Sequence, residues 1–185
     1  MSINLKKGNS FNLTKNEPGL KKLMIGLGWE VISQRIDLDA SVFMTNSNGK
    51  LVSDEYFVFY NNLNSPDGSI KHTGDNRTGV GDEDDEMILA NMSLINPAVD
   101  EIVIAISVHE AEAKRHHFGM LGDAYIRLYD VESQREVLRY DLDAEFNGST
   151  EVVFGKLSRK NNEWFFTAVG QGSSKGLQGL IDIYA

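Results

Sequence analysis

Residues 101–108 read Glu-Ile-Val-Ile-Ala-Ile-Ser-Val, a short apolar run that is rich in β-branched side chains. Side chains of this kind suit a pleated, half-buried surface, so the run predicts a β-strand. Comparable runs recur along the chain. They predict strands at Leu23–Val31, Ala40–Met44, Tyr56–Tyr60, Met87–Leu94, Glu101–Val108, Ala124–Tyr129, Glu136–Asp141, Glu151–Leu157 and Trp164–Val169.

Strong turn sequences separate these runs, namely Asn48-Gly49, Pro66-Asp67-Gly68, Asn147-Gly148 and Asn161-Asn162. Short strands with such regular punctuation predict an all-β fold, either a β-sandwich or a barrel. Helix is scarce. The sequence indicates one helical turn at Pro97–Asp100, a short helix at Ala111–His117 and a C-terminal helix at Lys175–Ile183.

The composition limits what the chain can do. Its 185 residues suffice for one well-buried core, so we expect a single domain over residues 1–185. A formal charge of -9 disfavours nucleic acid as the main partner and permits a cation. The absence of cysteine excludes disulfides, zinc–thiolate sites and thiol catalysis. Neither a secretory signal nor a membrane-spanning run is visible, and a cytoplasmic protein is expected.

The most unusual segment is Gly74–Glu86, which ends in five consecutive carboxylates, Asp82 to Glu86. Like charges this close repel one another, unless a cation neutralises them or the loop is simply solvated. Calcium takes six to eight oxygen ligands from carboxylates, Asn amides and backbone carbonyls. The glycines and Asn76 are what a calcium cage needs. Further oxygen donors, Asp37, Asp39, Asn61 and Asn62, lie at the ends of predicted strands and could meet this segment at one pole.

This calcium loop would not be an EF-hand. Asp75 to Glu86 has the length of an EF-hand loop, but Arg77 and Gly79 occupy two ligand positions and Val80 replaces the required glycine. A phosphate-binding loop at Gly170–Gly176 is also disfavoured, because the P-loop spacing is missing; we expect a flexible connection to the last helix there. A zinc site at His109 is disfavoured because Ala113 stands where a second histidine is needed.

The chain resembles the TerD family of tellurite-resistance and stress proteins over nearly its whole length. The motifs that carry the resemblance are Pro18–Leu20, Gly26–Trp29, Ile36–Ser41, Phe59–Leu63, Ser65–Ser69, His72–Gly79, Gly81–Glu86, His109–Glu112 and Ala168–Gly172. One departure is Glu83, where glycine is common in the family; a longer side chain there crowds the loop or adds a ligand.

The resemblance implies a β-sandwich of two antiparallel sheets with a few short helices and C2-like calcium loops at one end. It implies Ca²⁺ as the cofactor, with two ions expected. The ligand candidates that it carries over are Asp37, Asp39, Asn61, Asp75, Asn76, Arg77, Gly79, Asp82, Asp84, Asp85 and Glu86, with Arg77 and Gly79 acting through their carbonyls.

The resemblance further implies a stress-response role in resistance to tellurite and chemical agents. The expected partners are other tellurite-resistance and stress proteins, in a complex at the inner membrane surface. Some relatives are described as cyclic-AMP binders.

No catalytic activity is expected, and no catalytic residue is predicted. Two alternatives remain open. The first is a metal-dependent phosphate-ester hydrolase, because carboxylate-rich loops also hold Mg²⁺, with His72 or His109 as the general base. The second is a scaffold whose cation is purely architectural.

Overall fold

The computed structural model describes residues 1–31, 36–75, 84–142 and 146–185, whose strands form two six-stranded sheets. In spatial order, the first sheet consists of β1 (Ile3–Asn4), β10 (Arg135–Asp141), β9 (Leu121–Asp130), β3 (Lys22–Val31), β7 (Glu86–Asn91) and β6 (Ile70–Asp75). The second consists of β2 (Ser10–Asn12), β12 (Glu163–Ser173), β11 (Glu151–Lys160), β8 (Glu101–Val108), β4 (Leu38–Thr45) and β5 (Phe57–Val58).

Apolar side chains from both sheets form one core. Ile25 and Ile126 of the first sheet and Ile104 and Phe154 of the second have no exposed surface. Neighbouring strands in both described sheets are antiparallel, apart from the parallel pair β1 and β10. The predicted all-β sandwich of two largely antiparallel sheets is therefore confirmed.

All nine predicted strands exist, although their ends differ. The strand predicted at Tyr56–Tyr60 shortens to Phe57–Val58, and the one predicted to reach Leu94 ends at Asn91, where Met92–Leu94 forms a 3₁₀ turn. The hairpin turn at Asn161-Asn162 is confirmed, because both residues have positive φ, as a tight hairpin requires. The sequence missed β1, β2 and β6.

Three short α-helices lie among the strands: α1 (Leu13–Asn16), α2 (Ala111–Lys114) and α3 (Gly176–Tyr184). Asp54–Tyr56 and Phe118–Met120 form 3₁₀ turns, as Met92–Leu94 does. The C-terminal helix is confirmed, whereas the prediction at Ala111–His117 was too long because Arg115 turns to a positive φ. The helical turn predicted at Pro97–Asp100 was wrong, since residues 96–99 form a hydrogen-bonded reverse turn. Within the described ranges, the helices are too short or too polar to cross a lipid bilayer.

Helix α3 lies on the outer face of the second sheet. Leu180 is buried there against a cluster that includes Phe43, Phe57 and Val103. A carboxylate fixes the start of this helix: Glu151 accepts hydrogen bonds from the backbone of Gly176 at 2.6 Å and Lys175 at 3.1 Å. The expected flexible connection was wrong for residues 170–173, which belong to β12. An internal carboxylate also occupies the helix end that a phosphate would use.

Candidate metal site

Glu86 connects the two sheets at one end of the sandwich. It is the first residue of β7, and its Oε2 accepts a hydrogen bond of 2.6 Å from the backbone N–H of Ala40 in β4. That N–H is available because β5 pairs only with Val42 and Phe43 and leaves the start of β4 uncovered. His72 of β6 also contacts Glu86, with Nε2 at 3.3 Å from Oε2. Glu86 therefore brings the acidic segment to the start of β4.

Asp39 lies one residue before this contact and pairs with a histidine. Its Oδ2 is 2.8 Å from Nδ1 of His109, and the backbone carbonyl of the neighbouring Asp37 accepts from the N–H of the same histidine. The Asp37 side chain is exposed. Asp37 and Asp39 at the start of β4 and Glu86 at the start of β7 therefore lie at the same end of the sandwich. The gathering of these donors around one ion stays a prediction.

Tyr60 and Asn61 form the tip of a narrow loop beside this pole. The backbones of Phe59 and Asn62 hydrogen-bond to each other across the loop, and the Asn61 side chain is exposed. The Tyr60 ring meets the edge of His109 at a centroid distance of 6.2 Å. Asp39, Tyr60 and His109 also line an open cleft of about 1120 Å³ that extends to the start of α3.

Asp85 contacts the end of β3 in the first sheet. Its backbone N–H donates to the carbonyl of Leu27 at 2.8 Å, and its Oδ2 accepts from the N–H of Trp29 at 2.8 Å. These two bonds hold the residue against the end of β3. Its side chain is nevertheless exposed, so it faces solvent at the same pole.

Asp84 packs onto the outer face of the first sheet, against Gly26, and its side chain is completely buried. Arg127 binds it with two donors, Nε at 2.8 Å from Oδ1 and Nη2 at 2.8 Å from Oδ2. The Tyr125 hydroxyl donates to Oδ1 at 2.9 Å. Burial raises the pKa of that hydroxyl well above its usual value, and the bond to Asp84 raises it further.

The remaining predicted ligands are only partly placed. Asn76, Arg77, Gly79 and Asp82 lie outside the described residues. Asp75 is placed by its backbone alone, opposite Glu86 in the β6–β7 pairing. In the described part of the chain, no three acidic or histidine side chains converge closely enough to hold a metal ion.

The donor chemistry present at the pole nevertheless fits calcium. Oδ1 of Asp39 and Oε1 of Glu86 accept no hydrogen bond from a described residue. Together with Asp37 and Asp85 they supply only hard oxygen donors, which calcium prefers. These four residues bring carboxylates from both sheets to one end of the molecule.

Sequence reasoning missed Arg127 and Tyr125, the partners of Asp84. The available signal was the pair of glycines at positions 26 and 28, because alternate glycines in a strand mark a close approach on one face. A Cβ on Gly26 would collide with the Asp84 carboxylate, and one on Gly28 would collide with the Tyr125 ring.

Known proteins resemble the whole chain. The TerD domain model matches residues 1–184. The Serratia marcescens tellurium resistance protein TerD is 46% identical over 100% of this chain and 97% of its own length. General stress protein 16U of Bacillus subtilis is 40% identical over 100% of this chain and 97% of its own length. A crystal structure of a Streptomyces coelicolor homologue of telluride resistance protein TerD covers 88% of this chain and 96% of its own, with 19% identity and a TM-score of 0.67, which shows the same fold.

Proposed function

This chain belongs to the TerD family, and from that premise we propose that it is a calcium-binding stress-response module that contributes to tellurite and chemical-stress resistance. It acts through assembly with partner proteins rather than through catalysis. The observation that carries the proposal is the bond between Glu86 and Ala40, which brings the acidic segment of one sheet to the Asp37–Asp39 end of the other.

Asp37, Asp39, Asp85 and Glu86 would each contribute carboxylate oxygens to the proposed site, although no three of them converge on one point within the described part of the chain. Asn61, Asp75, Asn76, Asp82 and the carbonyls of Arg77 and Gly79 complete the proposed ligand set. The ion would supply positive charge at a pole that otherwise concentrates carboxylates. Because these residues belong to both sheets, binding would tie β4 to β7 and stabilise the folded protein.

Thermal unfolding in EGTA and in calcium tests this proposal. Ligand that binds only the folded state stabilises it by about 2.7 kcal/mol at a hundredfold excess over Kd. Wild type should therefore melt at a higher temperature in calcium, and Glu86→Gln should lose most of the gain. Glu132→Gln, which changes an exposed glutamate in the β9–β10 turn, is the matched control and should keep it. Superimposable wild-type curves in the two conditions would refute calcium binding.

The partner proposal is supported by the relatives, which are named as resistance and stress proteins. The partners would be other proteins of that kind, in an assembly at the inner membrane surface. Gel filtration of this protein with a purified relative, the tellurium resistance protein TerZ of Serratia marcescens, in calcium and in EGTA, tests it. A joint peak that needs calcium supports the proposal, and separate elution in both conditions counts against it.

A metal-dependent phosphate-ester hydrolase is the second candidate, and one observation favours it. A carboxylate that orients an imidazole is the arrangement of a general base, and Asp39 and His109 present it in the open cleft. The other predicted base, His72, is only 5% exposed. Turnover of p-nitrophenyl phosphate with Mg²⁺ or Mn²⁺ that His109→Gln abolishes would support this function; no turnover would remove it.

A further inference from the structure

Asp84 belongs to the acidic segment, yet its surroundings differ from those of Asp85 and Glu86. We infer that Asp84 is a positioning residue, which anchors the acidic segment to the outer face of the first sheet and does not bind the cation. Arg127, Tyr125 and Gly26 form the receiving site of this anchor. The inference deepens the proposed function and rests on it for the role of the segment, whereas the anchor itself can be tested without calcium.

Both carboxylate oxygens of Asp84 already have hydrogen-bond partners. The guanidinium of Arg127 binds Oδ1 and Oδ2 side by side, and the Tyr125 hydroxyl adds a third donor. Paired donors of this kind are the strong form of charge-assisted hydrogen bond. A cation at Asp84 would have to displace these donors and break the paired contact with Arg127, in a place where the Asp84 side chain has no exposed surface. Nη1 of Arg127 also lies 3.6 Å from Glu136, so the guanidinium bridges the two carboxylates.

The first sheet also leaves space for the Asp84 side chain. Gly26 lies beneath the carboxylate, and Gly28 lies beneath the ring of Tyr125. The two glycines stand two positions apart in β3, so both face the same side of the sheet. The missing side chains leave a groove that Asp84 and Tyr125 fill. A carboxylate that binds an ion must remain accessible to it and does not require a groove that encloses its side chain.

Asp84 also directly precedes Asp85 and Glu86, the two carboxylates whose positions the anchor would fix. Immediately after Asp84, the N–H of Asp85 bonds to Leu27, and Glu86 pairs with Leu27 in the β3–β7 ladder. Asp84 therefore fixes where β7 begins. From that point Asp85 reaches the N–H of Trp29 and Glu86 reaches the N–H of Ala40.

Amide hydrogen exchange in EGTA tests the anchor without calcium. Asp84→Asn and Arg127→Gln should each accelerate exchange at Trp29 and Ala40 by about tenfold, because local opening frees both amides. The double variant should exchange no faster than the faster single variant, since both changes break one interaction. Tyr125→Phe, which removes one donor and keeps the ring, gives a milder version of the same effect if a charge variant fails to fold.

Arg135→Gln is the matched control, because Arg135 is an exposed residue at the start of β10 in the same sheet and its ion pair is with Glu17, after α1. It should leave exchange at Trp29 and Ala40 unchanged. Unchanged exchange in Asp84→Asn and Arg127→Gln as well would overturn the anchor. Faster exchange in these two variants, combined with no calcium binding by wild type, would retain the anchor and reject the proposed function.

Calcium titration then separates an anchor from a ligand, because the two roles predict opposite effects of Arg127→Gln. An anchor requires Arg127, so Arg127→Gln and Asp84→Asn should both weaken calcium binding, by the 10- to 100-fold that is typical of groups supporting a ligand from behind. A ligand that Arg127 holds back would be released by Arg127→Gln. Unchanged or tighter binding in Arg127→Gln, with weaker binding in Asp84→Asn, would make Asp84 a ligand and overturn the inference.

Discussion

At the outer face of the first sheet, the Asp84 carboxylate packs where a side chain on Gly26 would otherwise lie. The sequence showed both residues, and their motifs were recognised, but the identity of a strand residue does not reveal what packs across it. Arg127 lies 43 residues after Asp84, and only the order of β9, β3 and β7 in the sheet makes them neighbours.

Gly26→Ala should destabilise the protein, because the new methyl group collides with a carboxylate that Arg127 and Tyr125 hold in place. Overpacking of this kind costs about 1–3 kcal/mol. Urea denaturation measures the loss. Gly19→Ala is the matched control, since no atom lies within 4 Å of the position of its added Cβ. Equal stabilities for the two variants would show that Asp84 moves aside without cost.

Asp67 makes the stability of the fold dependent on pH. Burial acts to raise the pKa of this carboxyl, but hydrogen bonds from Ser65, Asn96 and Ser69 outweigh it and hold the pKa below its ordinary value of 3.8. A carboxyl with a lowered pKa stabilises the fold above the unfolded-state pKa, and the effect disappears as the pH falls through the folded-state pKa.

Asp67→Asn should therefore cost stability at neutral pH and much less in acid. Urea denaturation of both proteins between roughly pH 6 and pH 2 measures the difference. The stability gap between wild type and Asp67→Asn should narrow as the pH falls below 3.8. A gap of constant size over this range would show that the charge of Asp67 contributes nothing.

Whole elements were predictable where the hydrophobic pattern is long and regular. β3, β8 and β12 each run for eight or more residues with a buried face, and their positions were predicted. β1 and β2 have two and three residues, so no pattern can develop. β6 reads Ile-Lys-His-Thr-Gly-Asp, and its one strongly apolar residue gives no alternation; pairing with β7 determines its conformation.

Helix α3 is held in place mainly by the side chains that it buries against the second sheet. Leu180 is 3% exposed in that contact, whereas Ile183 on the same helix is 58% exposed. Leu180→Ala should cost about 2–5 kcal/mol, because it removes buried methyl groups and leaves a cavity. Ile183→Ala should cost little. Thermal denaturation of the two variants compares them, and a similar loss for both would mean that α3 is not held by its buried face.

At the scale of the molecule, the pole is assembled by the packing of two sheets and not by one loop. The sequence predicted that donors at strand ends would gather there. Glu86 reaches the backbone of Ala40 and Asp39 pairs with His109, but the described part of the chain brings no three such side chains within reach of one ion. The sequence did not predict that Asp84 would pack on the outer face of the first sheet, against Arg127 and Tyr125. Five adjacent carboxylates look equivalent in a sequence, and only the neighbouring strands distinguish them.

Isothermal titration of the EGTA-treated protein with Ca²⁺, and separately with Mg²⁺, tests the central claim most directly. We expect saturable calcium binding with about two ions per chain, weaker magnesium binding because Mg²⁺ demands regular octahedral geometry, and loss of calcium affinity in Glu86→Gln. Heats no larger than those of dilution with both metals would contradict a calcium site at the junction of the two sheets.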